Sequence, residues 1–362
     1  MRLNNCTLLI DGNWLLLSRF SVINKGFDKK NPDYMKEQAS LDLQDLLARS
    51  INVILNRFPI IDNMIFISDG GSWRKQLPIP KSLHDITYKG NRTTNVEMDW
   101  HYIYGALNKV FKHCKDLGVT CSNYSNIEGD DWVWYWSRRL NAEGTNCVIW
   151  SSDNDLKQLI QVDNKMDTFT AWYNDKNGLW LPNDLEEEII DPLEFFMQPM
   201  KYTSPVLEAL KSKSNSVNFI DPNTIILSKI ICGDAGDNIK SVVRYKKGNR
   251  TYRISEKDWD KIASKLNIIT IQDFLKHKEN VAKAIVDMKK LQPYNIDIQD
   301  VIEMIEYNIK LVWLNEKVIP DTAVQAMNQI EYKPYDLSYI KNNYKILYEE
   351  DDNDIQKLFE SI

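Results

Sequence analysis

The segment Thr7-Leu8-Leu9-Ile10-Asp11-Gly12-Asn13 decides the fold class, because a short apolar run there is followed directly by an acidic turn. Four apolar residues bounded by turn residues are typical of a buried β-strand. The same pattern predicts buried strands at residues 64–68, 119–123 and 146–150. We therefore expect four strands, most of which end at a carboxylate.

Apolar residues at helical spacing lie between these strands. Leu43 to Phe58 and Val96 to Leu117 each form one apolar stripe, and a tryptophan-rich helix is predicted over residues 130–140. Strands that alternate with helices predict an α/β fold with a mostly parallel sheet and helices on both faces. Beyond about residue 200 the strand pattern fades, and six stretches between 207 and 309 indicate a mainly helical C-terminal domain. The predicted domains are residues 1–200, 201–348 and an acidic tail, 349–362.

Composition limits the class of protein. The chain has 362 residues, 45 Lys+Arg against 51 Asp+Glu, and a net charge of −6. Such a balance is that of an ordinary globular protein and argues against a basic protein that coats nucleic acid, although a local basic groove remains compatible with it. Five cysteines without a CxxC pair indicate free thiols in a reducing cytoplasm. The first residues match neither a signal peptide nor a membrane span, so we expect a cytoplasmic protein without membrane contact.

Carboxylates follow each predicted strand or lie shortly after it. Because the carboxyl ends of parallel strands share one edge of the sheet, these acids should meet there. A later turn, Gly233-Asp234-Ala235-Gly236-Asp237-Asn238, supplies two more. The candidate metal ligands are Asp11, Asp69, Glu128, Asp130, Asp131, Asp153, Asp155, Asp234 and Asp237.

Clustered carboxylates repel one another, so a divalent cation is the natural means of neutralising them. Oxygen ligands suit Mg²⁺ or Mn²⁺ better than zinc, and two ions about 4 Å apart can activate water for phosphodiester cleavage. A structural explanation also exists for single residues, since Asp130 or Asp131 can simply cap the helix that follows. The recurrence of acids at the strand ends favours the metal site.

A basic segment at about residues 72–95 follows directly after the strand end that bears Asp69. Its cations could hold a phosphate beside the acids, and its aromatic residues could stack on an unpaired base. A second basic run, Lys246-Lys247-Gly248-Asn249-Arg250, follows Asp237 and is a candidate duplex contact. The alternative for both is a solvated surface loop. The candidate nucleic-acid contacts are Trp73, Arg74, Lys75, Tyr88, Lys89, Arg92, Lys246, Lys247 and Arg250.

Taken together, the motifs resemble those of the 5′-nuclease family, which includes flap endonucleases and phage 5′→3′ exonucleases. The resemblance spans about residues 7–245 and is carried by the order and spacing of the motifs. They are LIDGN (9–13), SDG (68–70), YKGNR (88–92), EGDD (128–131), SDND (152–155) and GDAGDNI (233–239). Within the family, the likeness is strongest to the T-even phage branch, whose members remove RNA primers and trim flaps.

The resemblance implies a PIN-like nuclease domain, a helical arch within residues 72–95 and a duplex-binding C-terminal domain. It implies one metal ion near Asp11, Asp69, Glu128 and Asp130 and a second near Asp153, Asp155, Asp234 and Asp237, with Asp131 close by. The catalytic residues would be Asp69 and Asp153, with Lys89 and Arg92 gripping phosphate. The substrates would be DNA with a 5′ flap or nick and RNA/DNA hybrids.

Two departures from the family pattern qualify these expectations. The family often has an arginine seven residues after the first aspartate, where this chain has Ser18, so Arg19 is a doubtful phosphate ligand. Residues 239–244 also lack the glycines of the family's duplex-binding hairpin, which puts its potassium site in doubt. The alternatives are a non-catalytic structure-specific DNA-binding module and a PIN-class ribonuclease.

Partner predictions rest on the tail and on the implied role in replication. Gln356-Lys357-Leu358-Phe359 could dock on a replication sliding clamp, or could be an ordinary amphipathic chain end. A single-strand binding protein is a second candidate partner. We expect the chain to be a monomer.

Overall fold

The computed structural model describes residues 5–25, 37–83, 86–91, 100–185, 205–247 and 250–349. Arg92 and the tail beyond residue 349, which includes the 356–359 docking motif, lie outside these ranges, as do residues 84, 85 and 93–95 of the predicted arch. Within the described residues, no helix is long and apolar enough to cross a membrane.

The main sheet is mixed but mostly parallel, as predicted. Its strands run in the order β3-β2-β1-β4-β6-β7-β8, and β5 pairs with β6. Neighbours among β1, β2, β3, β4 and β6 are parallel, β7 is antiparallel to β6, and β8 is parallel to β7. The strands are β1 Cys6–Asp11, β2 Asn63–Ile67, β3 Thr120–Ser122, β4 Asn146–Trp150, β5 Gln161–Asp163, β6 Thr168–Asn174, β7 Gly178–Pro182 and β8 Val217–Ile220, followed by a separate hairpin of β9 Arg244–Lys247 and β10 Arg250–Arg253.

Helices cover both faces of the sheet and build the C-terminal part of the chain. In chain order they are α1 Gly12–Lys25, α2 Glu37–Arg57, α3 Trp100–Asp116, α4 Gly129–Ala142, α5 Pro205–Lys213, α6 Pro222–Cys232, α7 Glu256–Leu266, α8 Ile271–Lys276, α9 Lys278–Val286, α10 Ile298–Val312, α11 Asp321–Asn328 and α12 Ser338–Asn342. The four predicted strands and the helices over 43–58, 96–117 and 130–140 correspond to β1 to β4 and to α2, α3 and α4.

Side chains of the central strands alternate between two apolar clusters. Leu8 and Ile10 pack with α1, α2 and α3, whereas Leu9 packs with α4 on the opposite face. This alternation follows from the two-residue period of a strand. The four predicted strands are apolar on both faces because both faces are covered.

A third apolar cluster lies within the C-terminal helices α6 to α10. Leu83 and Tyr88, from the basic segment after β2, pack into this cluster. The sheet also extends past residue 200, where the domain boundary was predicted, because β8 pairs with β7. The basic segment therefore joins the sheet to the helical part.

Candidate active site

The strand-end acids meet at the carboxyl edge of the sheet. Asp11 ends β1, Asp69 follows β2 by two residues, Glu128 precedes α4, and Asp153 follows β4 by three residues. Gly12 permits the first turn, because a Cβ atom at that position would lie 2.5 Å from the carbonyl oxygen of Ile67. The local sequence thus brings carboxylates from four segments to one edge.

Asp11 and Asp69 are fixed by neutral hydrogen-bond donors. The Asp11 carboxylate accepts bonds from the Ser151 hydroxyl at 2.7 Å and the Trp14 amide at 3.0 Å. Asp69 accepts bonds from the Asn13 side chain at 2.7 Å and from the Gly129 amide. These donors orient the two carboxylates.

Burial and mutual repulsion shift the protonation of this group. Burial, with the charges of Asp69 and Asp153 adding to it, raises the pKa of Asp11 to about 7. Burial and the nearby Asp153 raise the pKa of Asp130 well above its ordinary value. The pKa of Asp153 is raised as well, chiefly by burial. The edge therefore carries carboxylates that lack full compensation.

Glu128 is the acid that receives two cations. Its carboxylate accepts bonds from Arg74 at 2.7 Å and from the Lys89 ammonium at 2.5 Å. Burial alone would raise the pKa of Glu128, but Lys89 and Arg74 outweigh burial and lower it. For Lys89, burial would lower the pKa, yet Glu128, Asp130 and Asp237 together raise it. Lys89 is thus held as a cation among the acids.

Asp131 binds protein groups through both of its oxygens. Arg74 donates to both oxygens, at 2.7 and 3.0 Å, and the Trp73 indole donates at 3.0 Å. Asp131 has no exposed surface, Arg74 is 2% exposed and Trp73 is 8% exposed. This corrects two expectations. Asp131 holds Arg74 rather than a metal ion in this arrangement, and Trp73 and Arg74 have no free surface for nucleic acid.

Tyr88 also differs from its expected role, because its ring is buried and unable to stack on a base. Its hydroxyl donates to Asp237 at 3.2 Å. The Lys89 amide donates to the Asp237 carbonyl at 2.8 Å, which docks the basic segment on the turn after α6. Lys75 is exposed, as a nucleic-acid contact would need. Lys246, Lys247 and Arg250 lie on the β9–β10 hairpin.

Asp153, Asp155, Asp234 and Asp237 form the second acid group. Gly233, with a φ of +79°, ends α6 and turns the chain so that Asp234 follows immediately. Lys229 binds both Asp155 and Asp234. Sequence reasoning missed Lys229, although it is the one charged residue in the apolar stretch 225–232. Arg19 instead donates to Ser50 and Asp175.

As positioned, no group of three or more Asp, Glu, His or Cys side chains among the described residues could hold a metal ion. Lys89 and Lys229 each bind acids that were predicted as ligands. The acids thus converge on one edge, but protein cations occupy part of the set.

The mostly parallel sheet, with helices on both faces and carboxylates along one edge, is a PIN-like α/β fold. No family model matches the chain. It is 24% identical over 351 residues to a 5′-3′ exonuclease of Mycoplasmopsis pulmonis (strain UAB CTIP), with 95% of each chain covered. It is 26% identical over 190 residues to a 5′-3′ exonuclease of Buchnera aphidicola subsp. Schizaphis graminum, covering 52% of this chain and 58% of that protein.

Two solved structures share the fold. One is bacteriophage T5 D15 flap endonuclease in a pseudo-enzyme-product complex with DNA and metal ions, with a TM-score of 0.52 and 17% identity. The other is T5 5′-exonuclease with divalent metal ions (zinc), with a TM-score of 0.50 and 18% identity. Each match covers 95% of this chain and 100% of the other. The chain is thus similar in sequence to 5′-3′ exonucleases and similar in fold to the T5 nuclease.

Proposed function

We propose that the protein is a metal-dependent 5′→3′ nuclease that acts on the 5′ ends of nicked, flapped or RNA-primed duplexes. The observation that carries this proposal is the group of strand-end carboxylates with raised pKa values beside Lys89. Primer removal and flap processing during DNA replication are the cellular roles that fit this activity. The relatives named 5′-3′ exonuclease support the direction of attack.

Two Mg²⁺ or Mn²⁺ ions are the cofactor we propose, because the donors are carboxylate oxygens and their repulsion calls for divalent charge. Asp11, Asp69, Glu128 and Asp130 would hold one ion, and Asp153, Asp155, Asp234 and Asp237 the other. Bound metal would supply an activated water and would stabilise the leaving oxygen. Two structures of the same fold were solved with metal ions, which supports a dependence on divalent metal.

The chain's own residues then have distinct tasks. Lys89, held between Glu128 and Asp237, would bind the scissile phosphate through its ammonium group. Arg74 positions the Glu128 carboxylate, and Asp131 in turn holds Arg74. Lys75, Arg92 and the hairpin residues Lys246, Lys247 and Arg250 are the proposed contacts to the nucleic-acid backbone, where cations provide affinity that falls with salt.

The direct test is product mapping with Mg²⁺ on a duplex with a labelled 5′ flap and, separately, on one with a 5′ RNA primer. Asp153→Asn should abolish cleavage of both substrates while flap binding persists. Asp163→Asn is the matched control, since its carboxylate caps the turn at residues 165 and 166, and it should cleave like wild type. Binding by the wild-type chain without any cleavage would favour the non-catalytic DNA-binding module. Cleavage of single-stranded RNA alone would favour a PIN-class ribonuclease.

A sliding clamp and a single-strand binding protein remain the proposed partners. Removal of residues 355–362 should abolish stimulation of cleavage by the clamp. Unchanged stimulation would refute a docking role for that segment.

A further inference from the structure

Lys229 joins two acids that come from different parts of the fold. It lies on α6, and its ammonium donates to Asp234 at 2.5 Å and also to Asp155. Asp155 belongs to the 3-10 helix Asn154–Leu159 after β4, and Asp234 belongs to the turn after α6. All three side chains are about one-fifth exposed. One cation therefore holds the two halves of the second acid group together.

The ammonium occupies the place that a bridging cation would need. One oxygen of Asp155 and one of Asp234 both lie within hydrogen-bond reach of a single atom. A Mg²⁺ ion demands oxygen ligands at about 2.0–2.1 Å in octahedral geometry. Those oxygens cannot serve an ammonium group and such an ion at the same time. Metal binding at this pair is therefore an exchange of one cation for another.

The surroundings allow the lysine to leave. Lys229 lines an open cavity of about 920 Å³, which also borders Asn154, Asp234 and Arg253. A flexible four-carbon stem can swing its ammonium into that space. Asp234 keeps a second anchor meanwhile, because the Gly236 amide donates to its other oxygen at 2.8 Å.

We propose that Lys229 is an internal counter-ion for Asp155 and Asp234, and that the second divalent cation binds only by displacing it. This inference rests on the proposed metal-dependent function. The ion near Asp155 and Asp234 must compete with a tethered cation. Lys229 is thus a positioning residue that sets the affinity for the second ion.

Calorimetric titration of the metal-free, full-length chain with Mn²⁺ tests this directly. In Lys229→Met the stem is kept and the charge is lost, so the second Mn²⁺ should bind about tenfold more tightly than in wild type. The metal-free variant should melt at a lower temperature than wild type, since two acids lose their counter-ion. Its gain in melting temperature on adding Mn²⁺ should be larger, because tighter binding to the folded state stabilises it more.

Lys278→Met is the matched control, because Lys278 also pairs with one acid, Glu306, and lies far along the chain in α9. Its Mn²⁺ titration should equal that of wild type. If Lys229→Met fails to fold, Lys229→Gln is to be titrated in its place with the same expectation. A wild-type chain with one detectable ion and a variant with two would support the proposal equally.

Unchanged or weaker second-site affinity in the variant overturns the proposal. Different results would refute the metal-dependent function and the role of Lys229. A wild-type chain that binds no Mn²⁺ and cleaves nothing refutes the metal-dependent function itself. A wild-type chain that binds Mn²⁺ and cleaves flaps, while Lys229→Met titrates like wild type, refutes the role of Lys229 alone.

Discussion

Arg74 is the side chain on which the interior of the site depends most. It bridges Glu128 and Asp131 with side chains that are 2%, 7% and 0% exposed. Arg74→Met should lower the free energy of unfolding by about 3–5 kcal/mol, because two buried carboxylates lose their partner. Urea unfolding measures this loss. The exposed neighbour serves as control, since Lys75→Met should change stability by less than about 0.5 kcal/mol. A loss below about 1 kcal/mol for Arg74→Met would contradict the buried-bridge explanation.

Asp11 makes stability depend on pH when divalent metal is absent. Burial, and then Asp69 and Asp153, raise its pKa from 3.8 to about 7, so the folded state holds a proton that the unfolded state has released. The free energy of unfolding should therefore fall as pH rises from about 4 to 7, by at most about 4 kcal/mol. Denaturant unfolding in EDTA at several pH values measures this slope. Asp11→Asn should flatten it, and an equal slope in the variant would count against Asp11 as the cause.

At this scale the sequence identifies the residue types but not their partners. Asp11, Asp69 and Asp153 are predictable because each follows an apolar strand. The pairing of Asp131 with Trp73 and Arg74 is not predictable, because it joins segments 57 and 58 residues apart through side-chain packing. Lys229 meets Asp155 across 74 residues for the same reason. Long-range partners depend on how elements dock, which spacing along the chain does not encode.

At the scale of elements, β6 is a strand that sequence reasoning missed. Thr168 and Thr170 of β6 are buried, yet their pattern along the chain reads as amphipathic. The Thr170 hydroxyl donates to the Asn141 side chain at 2.7 Å, and the Thr168 hydroxyl donates to the Asn141 carbonyl at 3.2 Å. A neighbouring helix thus satisfies polar groups that would otherwise belong at the surface. The strands β1 and β4 each bury one polar residue near their starts, Thr7 and Asn146, and the apolar runs that follow are enough to predict them.

The segment after α11 is tied to the first two strands through Tyr332. Its hydroxyl lies 3.1 Å from the Thr7 hydroxyl and accepts a bond from the Asn63 side chain at 2.8 Å. Tyr332→Phe should lower the free energy of unfolding by about 1–3 kcal/mol, because buried polar groups of β1 and β2 lose a partner. Thermal and urea unfolding both report the change. The exposed Tyr339 provides the control, since Tyr339→Phe should be neutral, and equal effects of the two changes would speak against the anchor.

At the scale of the whole molecule, the sheet and the residues beyond 200 share one interior. Val206, Leu207 and Leu210 of α5 are buried in the same apolar cluster as α2 and α3. Leu337, Ile340 and Leu347 return from the far end of the chain to that cluster. The predicted boundary at residue 200 therefore separates pieces of chain that pack against each other. The N-terminal 200 residues carry the strand-end acids but not the whole of the core beneath them.

This packing predicts that a fragment of residues 1–200 does not fold on its own. Burial of an apolar side chain contributes about 1.5–3 kcal/mol, so losing the six apolar side chains of α5 and the C-terminal segment removes about 9–18 kcal/mol. A domain is usually stable by only about 5–15 kcal/mol, and the fragment also lacks β8, the sheet partner of β7. Thermal melts followed by circular dichroism should show no cooperative transition for this fragment. A chain ending at residue 349 should melt like the full-length protein, because it keeps the buried residues of that cluster that the structure describes. A cooperative melt of the 1–200 fragment would contradict this prediction. It would show that the sheet is stable without α5 and without the buried residues between 337 and 347.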